Sequence, residues 1–506
     1  MRPLDRGIWT GLLSSGWLAL LSLVLAPIYV YLLGIESYGL IGIYTAALAI
    51  GGILDVALSA TVSREIAWKL ARPAERNEIG SLLRSVEIVY WLVVSGLALI
   101  VLISGTVLTP AWTHTHSLPE EQIRGALALM LLSLAIQLPS GLYSASLIGL
   151  RRQAHAATLL AGFGTFRGVG AALLAWGVSN DIRAFFLFHV ATGLVQIVWL
   201  RRQTWMYMTA EQTGPPRFAV KSLISIRQAA GAMFLITTMG MMLSQIDKLV
   251  LAFLVPLESL GHYTLAWGLA SGLTIIATPI VQGFGARFSA LAAAGEHEEL
   301  KNQIRVASQL TYVAVIPPAV AIFLNSESIM LAWIRRTDVA EASARSLSLI
   351  AMGTAMAAST YPLLIGMYAK KEFKSVLLVQ LVCLFLFFPL LLWLADSWGI
   401  VGAAFCWAIY GFALYTIYFV LTALSYDKRL SLGMLNAFVC VSMTSLVVIW
   451  PIKQLTGQNA SHGEVLILIG LSIVIAWLLS ASVCKGSQRS FSQTIKSIQI
   501  YMSDRQ

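Results

Sequence analysis

The stretch SVLLVQLVCLFLFFPLLLWLA at residues 375–395 decides the fold, because it holds 21 consecutive residues without a charged side chain. A bilayer core about 30 Å thick requires roughly 20 apolar residues of α-helix to cross it. A surface helix of a soluble protein carries a polar face, whereas this stretch is apolar on nearly every side. The stretch is therefore typical of a transmembrane helix.

Similar apolar windows recur along the whole chain. Of its 506 residues, 58% are hydrophobic and 11% are charged, whereas ordinary soluble domains carry about 25% charged residues. The windows lack the period-two alternation that a membrane β-barrel requires. We therefore predict an all-α, polytopic integral membrane protein. The fourteen predicted transmembrane windows are 8–33, 38–62, 86–108, 125–149, 156–178, 183–200, 229–254, 260–285, 307–324, 346–368, 375–395, 399–424, 434–452 and 464–484.

Lysine and arginine residues indicate the orientation of these helices, because cytoplasmic loops carry the excess of both. With the N-terminus inside, 26 of the 34 cations fall in cytoplasmic segments and six in outer ones. This distribution predicts that both termini are cytoplasmic. The net charge of +10 then reflects topology and attraction to anionic membrane lipids, and no nucleic-acid partner is expected.

The longest basic connection, residues 201–228, divides the helices into two groups. We interpret residues 1–200 as an N-terminal lobe of six helices and residues 229–425 as a C-terminal lobe of six. Residues 201–228 are the predicted cytoplasmic linker between the lobes. Residues 426–506 then hold an extra helix pair and a cytoplasmic tail.

A weak internal repeat supports the two-lobe interpretation. The segment GIESYGLIGIY at 34–44 returns as PLESLGHYTLAW at 256–267, and Gly39 matches Gly261 at an offset of 222 residues. Tandem lobes of this kind are typical of transporters, in which the substrate path lies at the interface of the repeats.

Arg167 is the first candidate functional residue, because it lies near the middle of an apolar window among Gly162, Gly164 and Gly168. An intramembrane cation is costly and needs a functional or structural reason. A planar guanidinium suits phosphate or pyrophosphate through two parallel hydrogen bonds. The alternative is a structural ion pair with Asp55.

Two carboxylates and one further cation also lie deep within the windows. Asp247 and Lys248 are neighbours, so their side chains point about 100° apart and must find separate partners. We predict that Lys248 contributes to substrate binding. Asp55 and Asp247 are candidate carboxylates for coupling to H⁺ or Na⁺, with the neutralisation of a nearby arginine as the alternative for Asp55.

Arg64 and Arg287 end the second and eighth predicted helices at the cytoplasmic side. The functional interpretation is a pair of substrate-binding cations that attract anionic headgroups at the mouth of the path. The alternative is ordinary anchoring, in which long cationic side chains reach from the helix end to the membrane interface.

The sequence offers no constellation for covalent chemistry and no phosphate-binding G-x-x-x-x-G-K-[ST] motif. The four cysteines and seven histidines lack the spacing of a metal or disulfide site. We therefore predict a transporter rather than an enzyme, without a catalytic residue, metal or cofactor, and with an ion gradient or an external process as its energy source.

Three segments carry a resemblance to a known family: LGIESYGLIGIYTAAL at 33–48, SQIDKLVLAFLVPLESLGHYTLA at 244–266 and LADSWGIVGAAFCWAI at 394–409. With the helix count and the two lobes, they resemble the Wzx-type polysaccharide and O-antigen flippases of the multidrug/oligosaccharidyl-lipid/polysaccharide superfamily. The family's common helix number is twelve, so the last predicted pair departs from it.

The resemblance implies translocation of undecaprenyl-pyrophosphate-linked oligosaccharide repeat units across a bacterial inner membrane, from the cytoplasmic to the periplasmic leaflet. Such units serve O-antigen, lipopolysaccharide or exopolysaccharide biosynthesis. It further implies an alternating-access cavity between the lobes, coupling to an ion gradient, and a polysaccharide polymerase and chain-length regulator as partners.

Three other functions remain open from the sequence. A multidrug or cation antiporter of the same superfamily would need a net acidic, aromatic site. A lipid-II flippase matches the fourteen helices but typically carries arginines in its first helix, whereas residues 8–33 hold no cation. A membrane-embedded polymerase or ligase would need a larger outer loop than the chain provides.

The charge distribution makes the topology testable with alkaline phosphatase, which is active only outside the cytoplasm. A fusion at Thr213, in the basic linker, should be inactive, whereas a fusion at Thr115, in a predicted outer connection, should be active. An active fusion at Thr213 at equal expression would reverse the predicted orientation.

Overall fold

The structure is a computed structural model that describes residues 3–104, 118–209, 216–219, 238–426, 428–455 and 462–484. Sixteen α-helices and one short 3-10 helix, Pro73–Glu78, make up the described chain. The helices are α1 Pro3–Leu33, α2 Ile35–Leu70, α3 Ile79–Ser104, α4 Glu120–Gln137, α5 Pro139–Gly149, α6 Gln153–Gly177, α7 Ile182–Thr209, α8 238–254, α9 Leu257–Ala270, α10 Gly272–Ala294, α11 His297–Ile334, α12 Thr337–Ser359, α13 Tyr361–Ala369, α14 Phe373–Ser425, α15 Lys428–Leu455 and α16 His462–Val483.

The helices confirm the all-α, multi-pass membrane fold. Twelve helical runs within the described residues are long and apolar enough to cross a membrane. One of them, α14, contains two predicted windows, which meet where Gly399 adopts a φ of 57°. The window at 229–254 is described only from residue 238, and a helix continues from there to residue 254.

Several helices differ from their predicted windows in length or continuity. The predicted windows 183–200 and 307–324 lie within longer helices, α7 and α11. The polar ends of α7 and α11 fell outside the predicted windows because hydropathy detects only apolar segments. A helix can continue with polar side chains once it leaves the membrane. The window 125–149 is interrupted at Pro139, which begins α5 because proline lacks the amide hydrogen that would continue α4.

The chain divides into two compact units, Met1–Thr264 and Leu265–Gln506, with the boundary inside α9. Residues 210–215 and 220–237 lie outside the described residues, so the predicted linker and lobe boundaries remain a prediction, as does the tail after residue 484. In the second unit the last helix pair packs on α11 through Ala321, Leu324, Ile449, Val465, Ile469 and Ala476.

The two copies of the repeated motif pack against each other within the first unit. A Cβ added to Gly39 would lie 2.4 Å from the carbonyl oxygen of Leu257, and one added to Gly261 would lie 2.2 Å from that of Ile35. Leu257 and Ile35 are themselves equivalent in the repeat, so the contact is reciprocal. Only glycine permits this close approach of two helices.

The reciprocal contact predicts that Gly39→Ala and Gly261→Ala each destabilise the protein, because the added methyl group would overlap a backbone oxygen. Overpacking of this kind costs about 1–3 kcal/mol. The measurement is thermal unfolding of the purified chain in detergent. Gly52→Ala is the matched control on α2, since a Cβ there meets nothing within 4 Å. Equal melting temperatures for all three variants would contradict the proposed close packing.

Candidate functional site

Close packing of α1 against α6 places Arg167 inside the first unit. A Cβ at Gly164 would lie 2.6 Å from Leu18 Cδ2, and one at Gly168 would lie 2.7 Å from Leu25 Cδ1. The Tyr29 hydroxyl also donates to the Gly168 carbonyl over 2.8 Å. The small residues therefore let α1 approach α6, while the Arg167 side chain bonds to α4 and α7.

Two glutamines hold the guanidinium of Arg167. Its Nη1 donates to Gln137 Oε1 on α4, and its Nη2 donates to Gln196 Oε1 on α7. Gln137 Nε2 in turn donates to the hydroxyl of Tyr44 over 2.5 Å and to that of Ser133 over 2.9 Å. We call these five residues the Arg167 cluster; they join α2, α4, α6 and α7 by polar contacts.

The positive charge of the Arg167 cluster has no negative partner among the described side chains, since both glutamine oxygens are neutral. Arg167 Nε is buried and has no hydrogen-bond acceptor among the described atoms. The side chain of Asp55, the alternative partner, lies outside the described residues, although Asp55 itself lies in α2. The Arg167–Asp55 ion pair therefore stays a prediction.

Asp247 and Lys248 lie side by side on α8 and are both buried. The Tyr263 hydroxyl donates to Asp247 Oδ2 over 2.5 Å, and the backbone N–H of Lys248 donates to Asp247 Oδ1 over 2.8 Å. Lys248 Nζ donates to Gln245 Oε1 over 2.8 Å. The two neighbouring side chains thus use different side-chain partners, which follows from their angular separation on the helix.

Arg64 and Arg287 are both exposed. Arg287 Nη2 lies 3.5 Å from Glu299 Oε1 on α11, and Arg64 makes no ion pair with a described carboxylate. Among the described residues of the first unit, neither Arg167 nor Arg64 makes a hydrogen bond or ion pair with another predicted site residue. Their roles in substrate binding stay predictions.

The sequence analysis missed a buried carboxylate, Glu87 on α3, whose side chain is 2% exposed. Its Oε1 accepts from the Tyr143 hydroxyl over 2.7 Å, from Arg201 Nε over 2.6 Å and from Trp205 Nε1 over 3.4 Å. Its Oε2 accepts from Arg84 Nη1 over 2.9 Å. We call these five residues the Glu87 cluster; it joins α3, α5 and α7.

Glutamines 137 and 196 were also missed, because a search for charges ignores neutral amides. A signal was available, since each glutamine lies within a predicted transmembrane window, where a side-chain amide needs a partner. Glu87 was overlooked because it lies at the edge of the predicted window 86–108. In the structure α3 begins at Ile79, so Glu87 lies eight residues inside the helix.

No known protein family matches the chain, and no curated protein matches it in sequence. Solved structures do resemble it. A structure of the lipid II flippase MurJ in an inward closed conformation is similar with a TM-score of 0.70 at 14% sequence identity, over 93% of this chain and 97% of that chain.

Two multidrug transporters are similar as well. An inward-facing MATE family transporter of the MOP superfamily has a TM-score of 0.61 at 14% identity, over 82% of this chain and 95% of that chain. The MATE transporter DinF-BH in complex with R6G has a TM-score of 0.59 at 14% identity, over 84% and 95%. At this identity the comparisons show that the chain has the fold of these membrane transporters.

Proposed function

We propose that the protein is a flippase that moves an anionic, lipid-linked saccharide across a membrane by alternating access. The substrate class is an undecaprenyl-pyrophosphate-linked oligosaccharide repeat unit of the O-antigen or exopolysaccharide type. The membrane is the bacterial inner membrane, and both termini face the cytoplasm. A polysaccharide polymerase and a chain-length regulator would then act on the translocated product.

The observation that carries this proposal is the Arg167 cluster. A guanidinium within a membrane-crossing helix is costly, and here its described partners are neutral. Such a group favours an anion as its remaining partner, and a phosphate oxygen can accept hydrogen bonds from it in a fixed geometry. The glutamines orient the guanidinium without cancelling its charge, which suits the transient binding of a pyrophosphate group.

The same cluster bears on the two nearest alternatives. A multidrug antiporter that expels organic cations would be disfavoured by an arginine whose described partners are all neutral. A lipid II flippase also carries an anionic lipid-linked substrate, and the likeness to MurJ extends over 93% of this chain. Lipid II is therefore our second candidate substrate. The absence of cations between residues 8 and 33 argues against it.

Arg167→Lys and Arg167→Ala should both abolish complementation of a strain that lacks its own flippase. Lysine keeps the charge but loses the planar fork that binds phosphate in two places. Complementation is read as export of surface polysaccharide at matched membrane expression. Arg124→Ala is the control, because Arg124 lies partly exposed at the start of α4, where it pairs with Glu120 over 3.0 Å.

Gln196→Glu sharpens this test, because it keeps the shape of the cluster and supplies a carboxylate to neutralise Arg167. It should preserve folding while reducing export as strongly as Arg167→Ala does. If Gln196→Glu and Arg167→Lys both export at the wild-type level, the arginine has a structural role only and the proposed anion recognition is wrong.

We propose further that Asp55 or Asp247 couples transport to a gradient of H⁺ or Na⁺, with Lys248, Arg64 and Arg287 assisting substrate binding. An ion can drive transport only if it binds one conformation better than the other. Asp247 is buried and already accepts a hydroxyl hydrogen bond, so it would have to exchange partners during the cycle.

Asp55→Asn or Asp247→Asn should remove the dependence of translocation on an imposed gradient. The assay is translocation of a lipid-linked oligosaccharide in proteoliposomes, with each gradient imposed or collapsed. Asp396→Asn, an exposed position, is the control and should behave as wild type. If wild-type translocation is equally fast without any gradient, the protein works passively and both carboxylates are structural.

A further inference from the structure

A groove lies at the C-terminal end of α7, on the outside of the first unit. Among the described residues it is lined by Val198, Arg201, Arg202, Trp205 and Met206, and its volume is about 430 Å³. These positions are spaced by three and four residues, so they share one face of the helix. We call this feature the α7 groove.

The groove carries a net positive charge. Arg201 and Arg84 share the single carboxylate of Glu87, which leaves one positive charge in excess within the Glu87 cluster. Arg202 is exposed and has no ion pair among the described residues. The described part of the groove therefore presents the full charge of Arg202 and a share of the excess charge that Arg201 and Arg84 leave on the Glu87 cluster.

Glu87 also fixes the shape of the groove. It accepts hydrogen bonds from Arg201 Nε over 2.6 Å and from Trp205 Nε1 over 3.4 Å, so both side chains are held before a ligand arrives. The Arg201 side chain is 46% exposed, so a ligand can reach its guanidinium. A ligand with several oxygen acceptors, such as a phosphodiester, matches the donors of this guanidinium and those of Arg202.

The same face of α7 continues away from the groove as an apolar stripe. Leu187, Leu194, Val195 and Val198 expose 46–65% of their surface. In a multi-pass membrane protein such a stripe contacts lipid chains, and Trp205 lies where tryptophans concentrate, near the end of a membrane span. A cationic groove and an apolar stripe on one helix face together match a headgroup and its acyl chain.

We infer that the α7 groove is a binding site for an anionic phospholipid of the bilayer leaflet that it faces. The phosphodiester contacts Arg202 and Arg201, and an acyl chain lies along Val198 and Val195. This lipid site is separate from the proposed transport site, because it lies on the exposed face of α7 whereas the Arg167 cluster lies between helices. Basic pockets at helix ends commonly recognise anionic headgroups in this way.

The test measures lipid binding to the purified full chain in detergent, by native mass spectrometry and by thermal unfolding. Phosphatidylglycerol should bind and raise the melting temperature, whereas phosphatidylcholine with the same acyl chains should do neither. Arg202→Gln should weaken phosphatidylglycerol binding roughly fivefold, as expected for one interfacial cation. Arg305→Gln, an exposed arginine on α11, should bind as wild type.

Three outcomes would overturn the inference. Equal binding of the two lipids would show that charge does not matter, and equal losses in Arg202→Gln and Arg305→Gln would show that only the net charge of the protein matters. Displacement of phosphatidylglycerol by inorganic phosphate at similar concentrations would show a site for free anions, without a role for the apolar stripe. Arg202 is exposed, so its substitution should not prevent folding.

Discussion

The bilayer core contains no water that could satisfy a polar group, so each polar group in it must find a partner within the protein. Hydroxyls meet this demand locally; Thr311 Oγ1, for example, donates to the carbonyl of Ala307 one turn earlier over 2.8 Å. Some charged groups also bond within their own helix, as Lys248 does with Gln245, whereas others draw on neighbouring helices. Arg167 and Glu87 each gather partners from two other helices, and so they fix which helices in the first unit lie together.

The same constraint explains what the sequence could reveal. Apolar windows must be long enough to cross the membrane, so hydropathy alone predicted an all-α, multi-pass fold, and twelve described helical runs are long and apolar enough to cross. Cations within those windows are rare and costly, so Arg167 and Lys248 stood out. Their partners did not, because Gln137 and Gln196 are neutral and lie 30 and 29 residues from Arg167 in sequence. Which residues meet across helices depends on packing, which hydropathy does not encode.

The internal repeat shows how a duplicated element can diverge in chemistry while keeping its packing. Gly39 and Gly261 preserve a reciprocal close contact, since any side chain would separate the helices. Around this constant contact the charges differ. Tyr44, in the first copy, belongs to a cluster centred on a cation, whereas Tyr263, in the second copy, donates to the carboxylate of Asp247. The geometry of the motif is shared, but its electrostatics are not.

The Glu87 cluster has a consequence for how the chain is assembled during biosynthesis. Glu87 lies near the beginning of α3 and Arg201 lies near the end of α7, so their contact requires these two helix ends to lie on the same side of the membrane. A nascent chain in which α7 had inserted backwards would leave Glu87 without Arg201 and Trp205, at the cost of an unpaired buried carboxylate. The complete Glu87 cluster can therefore form only in a chain in which α3 and α7 have both inserted with the native orientation.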